Sequence, residues 1–275
     1  MITDFHTHAM PDSLAPRALS VLTGGIREVS GVEVTPATDF TYAGLVRAAD
    51  AAGIGRSVVL PVATRPGQAD KINALARKVE ADSQGKIVMF AAVHPADEDN
   101  GSRLSRLADE GFRGIKLHPE FQREYFDSEN MIELLKAARD NGLCAVTHAG
   151  ADIGVRPPVH GEPFRIRAAL ERVPGLVLVA AHLGGWMMWD EVCDLLCGLP
   201  LFFDTSFLSG YIEPYRLRDI IRAHGRRRVL FGSDSPWESP VSALALLKAA
   251  GLGAGETEDI TEKNADSILN REIRL

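Results

Sequence analysis

The chain has 275 residues, 45% of them hydrophobic and 24% charged, which suits one large soluble domain or two small ones and excludes a disordered or fibrous protein. Thirty basic residues against 37 acidic ones leave a net charge of −7, a balance that argues against a nucleic-acid partner. Three cysteines, an odd number, do not read as a disulfide framework and fit a reducing, cytoplasmic setting.

The first stretch, Ile2 to His8, reads as a strand, and alternation places Asp4, His6 and His8 on one face. Two imidazoles so spaced can grip one cation; taken alone, the motif equally describes solvated histidines near a chain end. No cationic segment precedes it, so no secretory signal is expected. Residues 9–40 hold Pro11, Pro16, Gly24, Gly25, Gly31 and Pro36 and show no clear period. They are expected to form a long loop over one mouth of the fold, with a short hairpin around Arg27 to Val34.

From there apolar runs of strand length alternate with amphipathic runs of helix length. A helix is expected over Tyr42–Ala52, capped by Thr41 or Asp39, then a strand over Ser57–Val62. Pro66 opens a helix to about Asp82, followed by a strand over Ile87–His94 and a helix over Ser102–Glu110. Phe112–His118 is the fourth strand; Asp127 or Ser128 caps a helix to Asn141; Leu143–His148 is the fifth strand. A loop to Pro163 and a helix over Phe164–Arg172 lead to the sixth strand, Leu176–His182. The apolar window 173–189 is broken by Pro174, Gly175, His182, Gly184 and Gly185, so it reads as strand and turn and not as a membrane span. A helix over Trp186–Leu196, a strand over Leu201–Thr205, a helix over Pro214–His224 and a strand over Arg228–Ser233 follow, with closing helices over Ser239–Ala250 and Thr261–Leu269. Cys193 and Cys197, one turn apart, read as core residues. Eight strands with intervening helices predict a single-domain (β/α)8 TIM barrel, 1–275; no glycine-rich phosphate turn supports an open doubly wound sheet.

His8, His94, His118, His148 and His182 fall at the C-terminal ends of predicted strands, with Asp234 just past the last. In a barrel those ends converge on one mouth, where catalytic residues of this architecture sit. That clustering favours a metal site over surface decoration, although His94 is at least as readily a satisfied core histidine.

With these residues in place the chain resembles the amidohydrolase superfamily, in its amidohydrolase-related branch of small metal-dependent hydrolases and aminocarboxymuconate-semialdehyde decarboxylase-like proteins. The motifs run in order: Asp4-Phe5-His6-Thr7-His8, Gly114 to Pro119, Thr147 to Gly150, Ala181 to Gly185, Phe203 to Ser206, and Gly232 to Pro236. The resemblance implies that His6, His8, His148 and Asp234 ligate one divalent metal, with zinc the expected ion, and that His182 bonds the metal-bound water or the substrate. It assigns Asp234 as the proton carrier and Asp4 as a support behind the ligands. Lys116 and His118 are candidates for a second metal, through a carboxylated lysine, or for a substrate carboxylate. Arg123, Arg156, Tyr211 and Trp237 are candidate substrate contacts, and the loop Asp152–Glu162 and the Trp186–Trp189 cluster are candidate walls.

The reaction expected first is hydrolysis, by metal-bound hydroxide, of a small carboxylate-bearing amide, ester or lactone. The alternative is non-oxidative decarboxylation of a small unsaturated or aromatic acid. Many decarboxylases of the branch open with Glu-x-His where this chain has Asp4-Phe5-His6, though the semialdehyde decarboxylase resembles the Asp form. A TatD-type nuclease is disfavoured by Lys116, where that family carries glutamate, and by the charge. A catalytically idle metal-binding barrel is disfavoured by the full ligand set. The expected partner is a small molecule, with no nucleic acid or membrane; barrels often form dimers, so a homodimer is the assembly to test.

Overall fold

A computed structural model describes residues 1–273. Its strands are β1 (Thr3–Thr7), β2 (Arg56–Val59), β3 (Ile87–Met89), β4 (Ala91–Ala92), β5 (Gly114–Leu117), β6 (Cys144–Thr147), β7 (Leu178–Ala180), β8 (Phe202–Asp204) and β9 (Val229–Leu230). All pair in parallel, in the orders β1-β2-β3 and β4 through β9. β3 and β4 are the two halves of the predicted third strand, split at Phe90, whose N–H donates to Val59 O. β9 returns to β1: Phe5 N–H donates to Phe231 O at 2.8 Å and Asp234 N–H to His6 O at 2.8 Å. The ring is thereby closed as a (β/α)8 TIM barrel, with helices between successive strands.

The strands are shorter than predicted, because the polar residues at their ends leave the ladder to build the mouth. Inside, Phe5, Val58, Phe90, Val146, Val179, Phe202 and Leu230 form one apolar cluster, plugged from below by Ala265, Ile268 and Leu269. Phe5 thus joins the interior, and the strict alternation expected of β1 does not hold: its pairing with β2 shifts register between Asp4 and Thr7. A second, larger cluster lies between strands and helices.

The segment 9–40 differs most from expectation. Ala15–Ser30 is a 16-residue helix, not a loop, and no hairpin forms at Arg27–Val34. Pro16 occupies its first turn, where a missing N–H costs nothing, and Gly31 at φ 74° ends it in the left-handed conformation that glycine adopts freely. Gly24 and Gly25 lie within it. The segment does cover the mouth, as expected, with Ile26 buried against the loop at Gly154. Thr41 caps the helix Tyr42–Ala51 by accepting from Gly44 N–H at 2.9 Å, and Asp39 in turn accepts from Thr41. A short helix, Pro119–Gln122, follows β5 unpredicted. Cys193 is exposed and Cys197 half-buried, so neither is the core residue expected. Among the described residues no helix is long and apolar enough to cross a membrane.

Candidate metal centre

At the mouth, His6, His8, His148 and His182 each have one ring nitrogen committed to an acceptor, and that commitment sets the tautomer. His6 Nδ1 lies 2.7 Å from Asp204 Oδ2, and His8 Nδ1 lies 2.9 Å from Leu60 O. Both protons therefore sit on Nδ1. The two Nε2 lone pairs then face one carboxylate, Asp234, whose Oδ1 is 3.5 Å from His6 Nε2 and 3.1 Å from His8 Nε2. Donor atoms of His6, His8 and Asp234 all lie within 4.8 Å of one another. Burial pushes His6 down to about 4, which keeps its ring neutral. Two neutral imidazoles and an ionised carboxylate converging on one point repel unless a cation lies among them, so the donor set fits a divalent metal.

The same logic applies opposite. His148 Nε2 is 3.1 Å from Ala151 O and His182 Nδ1 is 3.1 Å from Ser206 O, which leaves His148 Nδ1 and His182 Nε2 as lone pairs 3.0 Å apart. Burial lowers both basicities, His148 well below the ordinary value. The structure brings His182 against His6, with ring centroids 5.2 Å apart, but groups His148 by distance with His118 and Asp152 and not with His6, His8 and Asp234. His182 and Asp234 are both held at positive φ, 57° and 64°, an unfavourable conformation for a side chain that here aims each at the mouth.

Lys116 is 1% exposed, and its Nζ lies 3.1 Å from His6 Nε2. Burial lowers it to about 8. His118, two residues on, also lines the cavity: it stacks between Phe121 and His148 at centroid distances of 4.0 and 4.3 Å, with Nε2 3.5 Å from Asp152 Oδ2. Lys116 and His118 line the same cavity, and the donor atoms of His118, His148 and Asp152 all lie within 4.8 Å of one another, a second group that could hold a metal.

Two residues matter that the sequence reading placed in a motif, Phe203 to Ser206, without giving either a role. Asp204 holds His6 Nδ1 and also accepts from His182 N–H at 2.9 Å, from Ser206 N–H at 3.1 Å and from Ser206 Oγ. Its imidazole partners hold it well below the usual carboxylate range despite full burial. Ser206 Oγ lies 3.1 Å from His6 Nδ1 and 3.0 Å from His182 Nδ1. The signal was a charged residue closing an apolar strand, Phe202-Phe203-Asp204. Asp4, expected behind the ligands, accepts from Ser233 N–H at 2.9 Å, from Ser233 Oγ and from His6 N–H at 3.3 Å, so it braces the loop that carries Asp234 and the backbone of β1.

Of the candidate substrate contacts, Arg123 and Trp237 line the cavity above the cluster. Arg156 is exposed and lies outside its lining, and Tyr211 packs on Trp186, centroids 5.0 Å apart, also outside it. Trp186 is a wall, whereas Met187 is 55% exposed and Trp189 donates its Nε1–H to His182 O. His160 clasps the loop through Nδ1 to the buried Glu120 at 2.7 Å. His94 is buried, and its Nδ1 accepts from Ala96 N–H.

A family model described as amidohydrolase matches residues 3–271. No curated protein matches the chain. Among solved structures, an uncharacterised TIM-barrel protein from Bordetella bronchiseptica is similar over 99% of both chains, at 18% identity and a TM-score of 0.76. A dihydroxybenzoic acid decarboxylase from a Polaromonas species, solved with manganese and the inhibitor 2-nitroresorcinol, is similar over 99% of this chain and 98% of its own, at 17% identity and a TM-score of 0.73. A protein assigned as a 2-pyrone-4,6-dicarboxylic acid hydrolase from Pseudomonas putida gives 18% identity, 99% and 98% coverage and a TM-score of 0.68. At such identities the likeness is one of fold.

Proposed function

The chain belongs to the amidohydrolase family, and on that premise we propose that it is a metal-dependent enzyme that removes carbon dioxide from an unsaturated or aromatic carboxylic acid. The observation that carries the reading is the convergence of the His6 and His8 Nε2 lone pairs on Asp234, each ring fixed by an acceptor on its far side. His6, His8 and Asp234 would hold the ion, with His148 Nδ1 offered from across the mouth. A divalent metal bound there supplies Lewis acidity toward the substrate's oxygen atoms. Two supports favour decarboxylation over hydrolysis. Solved neighbours named as decarboxylases act on dihydroxybenzoates and carboxyvanillate. The walls above the cluster are also largely apolar, which favours a leaving group that departs neutral.

In this reading Lys116 Nζ and His182 Nε2 orient the carboxyl group, and Trp186 and Phe207 exclude water. The bond from ring or vinyl carbon to carboxyl carbon breaks, its electron pair stays on the carbon, and carbon dioxide leaves. A proton drawn from solvent and passed through Asp234 replaces it. Hydrolysis of a carboxylate-bearing lactone, ester or amide is the second reading, favoured by the Pseudomonas putida neighbour's assigned activity. There Asp234 takes the proton of the attacking water and gives it to the leaving oxygen or nitrogen.

The test is to reconstitute the protein with manganese or zinc and offer hydroxybenzoates, carboxyvanillate and pyrone dicarboxylate in deuterated water. Release of carbon dioxide with one deuterium on the product carbon supports decarboxylation, and ring opening without gas supports hydrolysis. Turnover that survives chelation, or that Asp234→Asn leaves unchanged, overturns the mechanism.

A further inference from the structure

The cavity above the cluster has a volume of about 880 Å³. Pockets for drug-sized ligands span about 300–1,000 Å³, so this one is far larger than a single-ring acid requires. Its character changes along its depth. The buried floor is polar, with His6, His182 and Lys116. The wall is apolar and is built largely by the segment between β1 and β2: Leu14, Val21, Leu22 and Ile26 on or beside the helix Ala15–Ser30, with Phe40 beyond it. Leu14 is 55% exposed and Val21 66%, so the wall carries bulky apolar groups out to the rim, where water is their present neighbour.

At that rim stand Arg65, Lys71 and Arg123, all exposed and all lining the cavity. Arg65 and Arg123 also share an adjoining hollow of about 440 Å³. None of the three has a carboxylate partner among the described residues, whereas Arg47, Arg103, Arg106, Arg165 and Arg172 each do. In a chain of net charge −7, three unpaired cations around one opening form a local anion-attracting rim.

We propose that the substrate is an elongated dianion: its reacting end at the histidine–aspartate floor, an apolar body along the helix Ala15–Ser30, and a second anionic group at Arg65, Lys71 and Arg123. This rests on the floor being the reaction centre proposed above. Outer-end anchoring then selects substrates by length, because the anion must reach the rim while the reacting group reaches the floor.

Binding of three probes to the metal-reconstituted protein, read by calorimetry, tests this: hexanedioate, dodecanedioate and, below its micellar concentration, dodecanoate. Dodecanedioate is expected to bind at least about tenfold more tightly than either of the others. Arg65→Ala with Arg123→Ala should erase its advantage over dodecanoate, and Val21→Asp should weaken both twelve-carbon probes. These sites are exposed, and circular dichroism checks that each variant folds. Equal affinity for the two dicarboxylates, or a preference for dodecanedioate unmoved by the double arginine change, overturns the proposal. Metal content and turnover of single-ring acids are measured separately, so loss of the reaction-centre reading shows there, while an error about the outer end shows only in probe binding.

Discussion

Asp204 Oδ2 lies 2.7 Å from His6 Nδ1, both side chains essentially without solvent contact, and through this pair β8 fixes the ring that β1 contributes. The carboxylate keeps the Nδ1 proton in place and so keeps Nε2 free toward Asp234. Replacing Asp204 by Asn removes the charge that favours this tautomer while preserving shape. Metal affinity is expected to fall about 10- to 100-fold, measured by competition with a chelator of known affinity. Affinity equal to that of the unaltered protein would show that His6 is oriented without Asp204.

Lys116 presents an ammonium 3.1 Å from His6 Nε2, on the side where a cation would sit. Like charges at that distance oppose each other. Lys116→Met should therefore leave metal content at one equivalent per chain and tighten its binding. Two equivalents in the unaltered protein, falling to one in the variant, would make Lys116 a ligand instead.

Gly232 is required by close approach. A Cβ there would stand 2.8 Å from His6 Cβ and 3.3 Å from Ser206 Cβ. Gly232→Ala should displace His6, weaken metal binding and cost about 1–3 kcal/mol of stability from overpacking. Gly255→Ala, in open space on the helix Ala254–Glu258, is the control and should be neutral or slightly stabilising. A Gly232→Ala protein that binds metal as the parent does would show that the strand ends yield where the geometry says they cannot.

His224 offers a pH prediction away from the mouth. It is 3% exposed and stacks on Phe203, with Nε2 2.9 Å from Leu201 O, while its Nδ1 accepts from Gly198 N–H. Burial lowers it to about 4, against about 6.5 when unfolded. The unfolded chain therefore takes up the proton first. Stability is held above about pH 6.5, falls as pH drops toward 4 by about 3 kcal/mol at most, and flattens below. In metal-free protein, urea unfolding of His224→Gln should show a shallower loss across that interval than the parent. Parallel curves would exclude His224 from the acid sensitivity.

The helix Ala15–Ser30 was illegible because Pro16, Gly24 and Gly25 read locally as breakers, whereas packing of Ile26 over the mouth outweighs the glycine cost. Arg156 and Tyr211 were plausible contacts by type and loop position, but chain direction beyond a strand end is not encoded in spacing. The placement of His8 and Asp234 at the mouth was legible because each falls just past a predicted strand, and predicted strands follow from the apolar period; a ligand role for them and for His6 was implied only by the family resemblance.

The sequence by itself determined the barrel and the residues delivered to its mouth, since alternation of strand-length and helix-length apolar runs is a local property. Only the tertiary structure decided which nitrogen each imidazole presents, that Asp4 reaches across to Ser233, and that His6 depends on a carboxylate 198 residues away. Those choices arise when the ring closes, because they pair atoms from strands that are neighbours in space and remote in the chain.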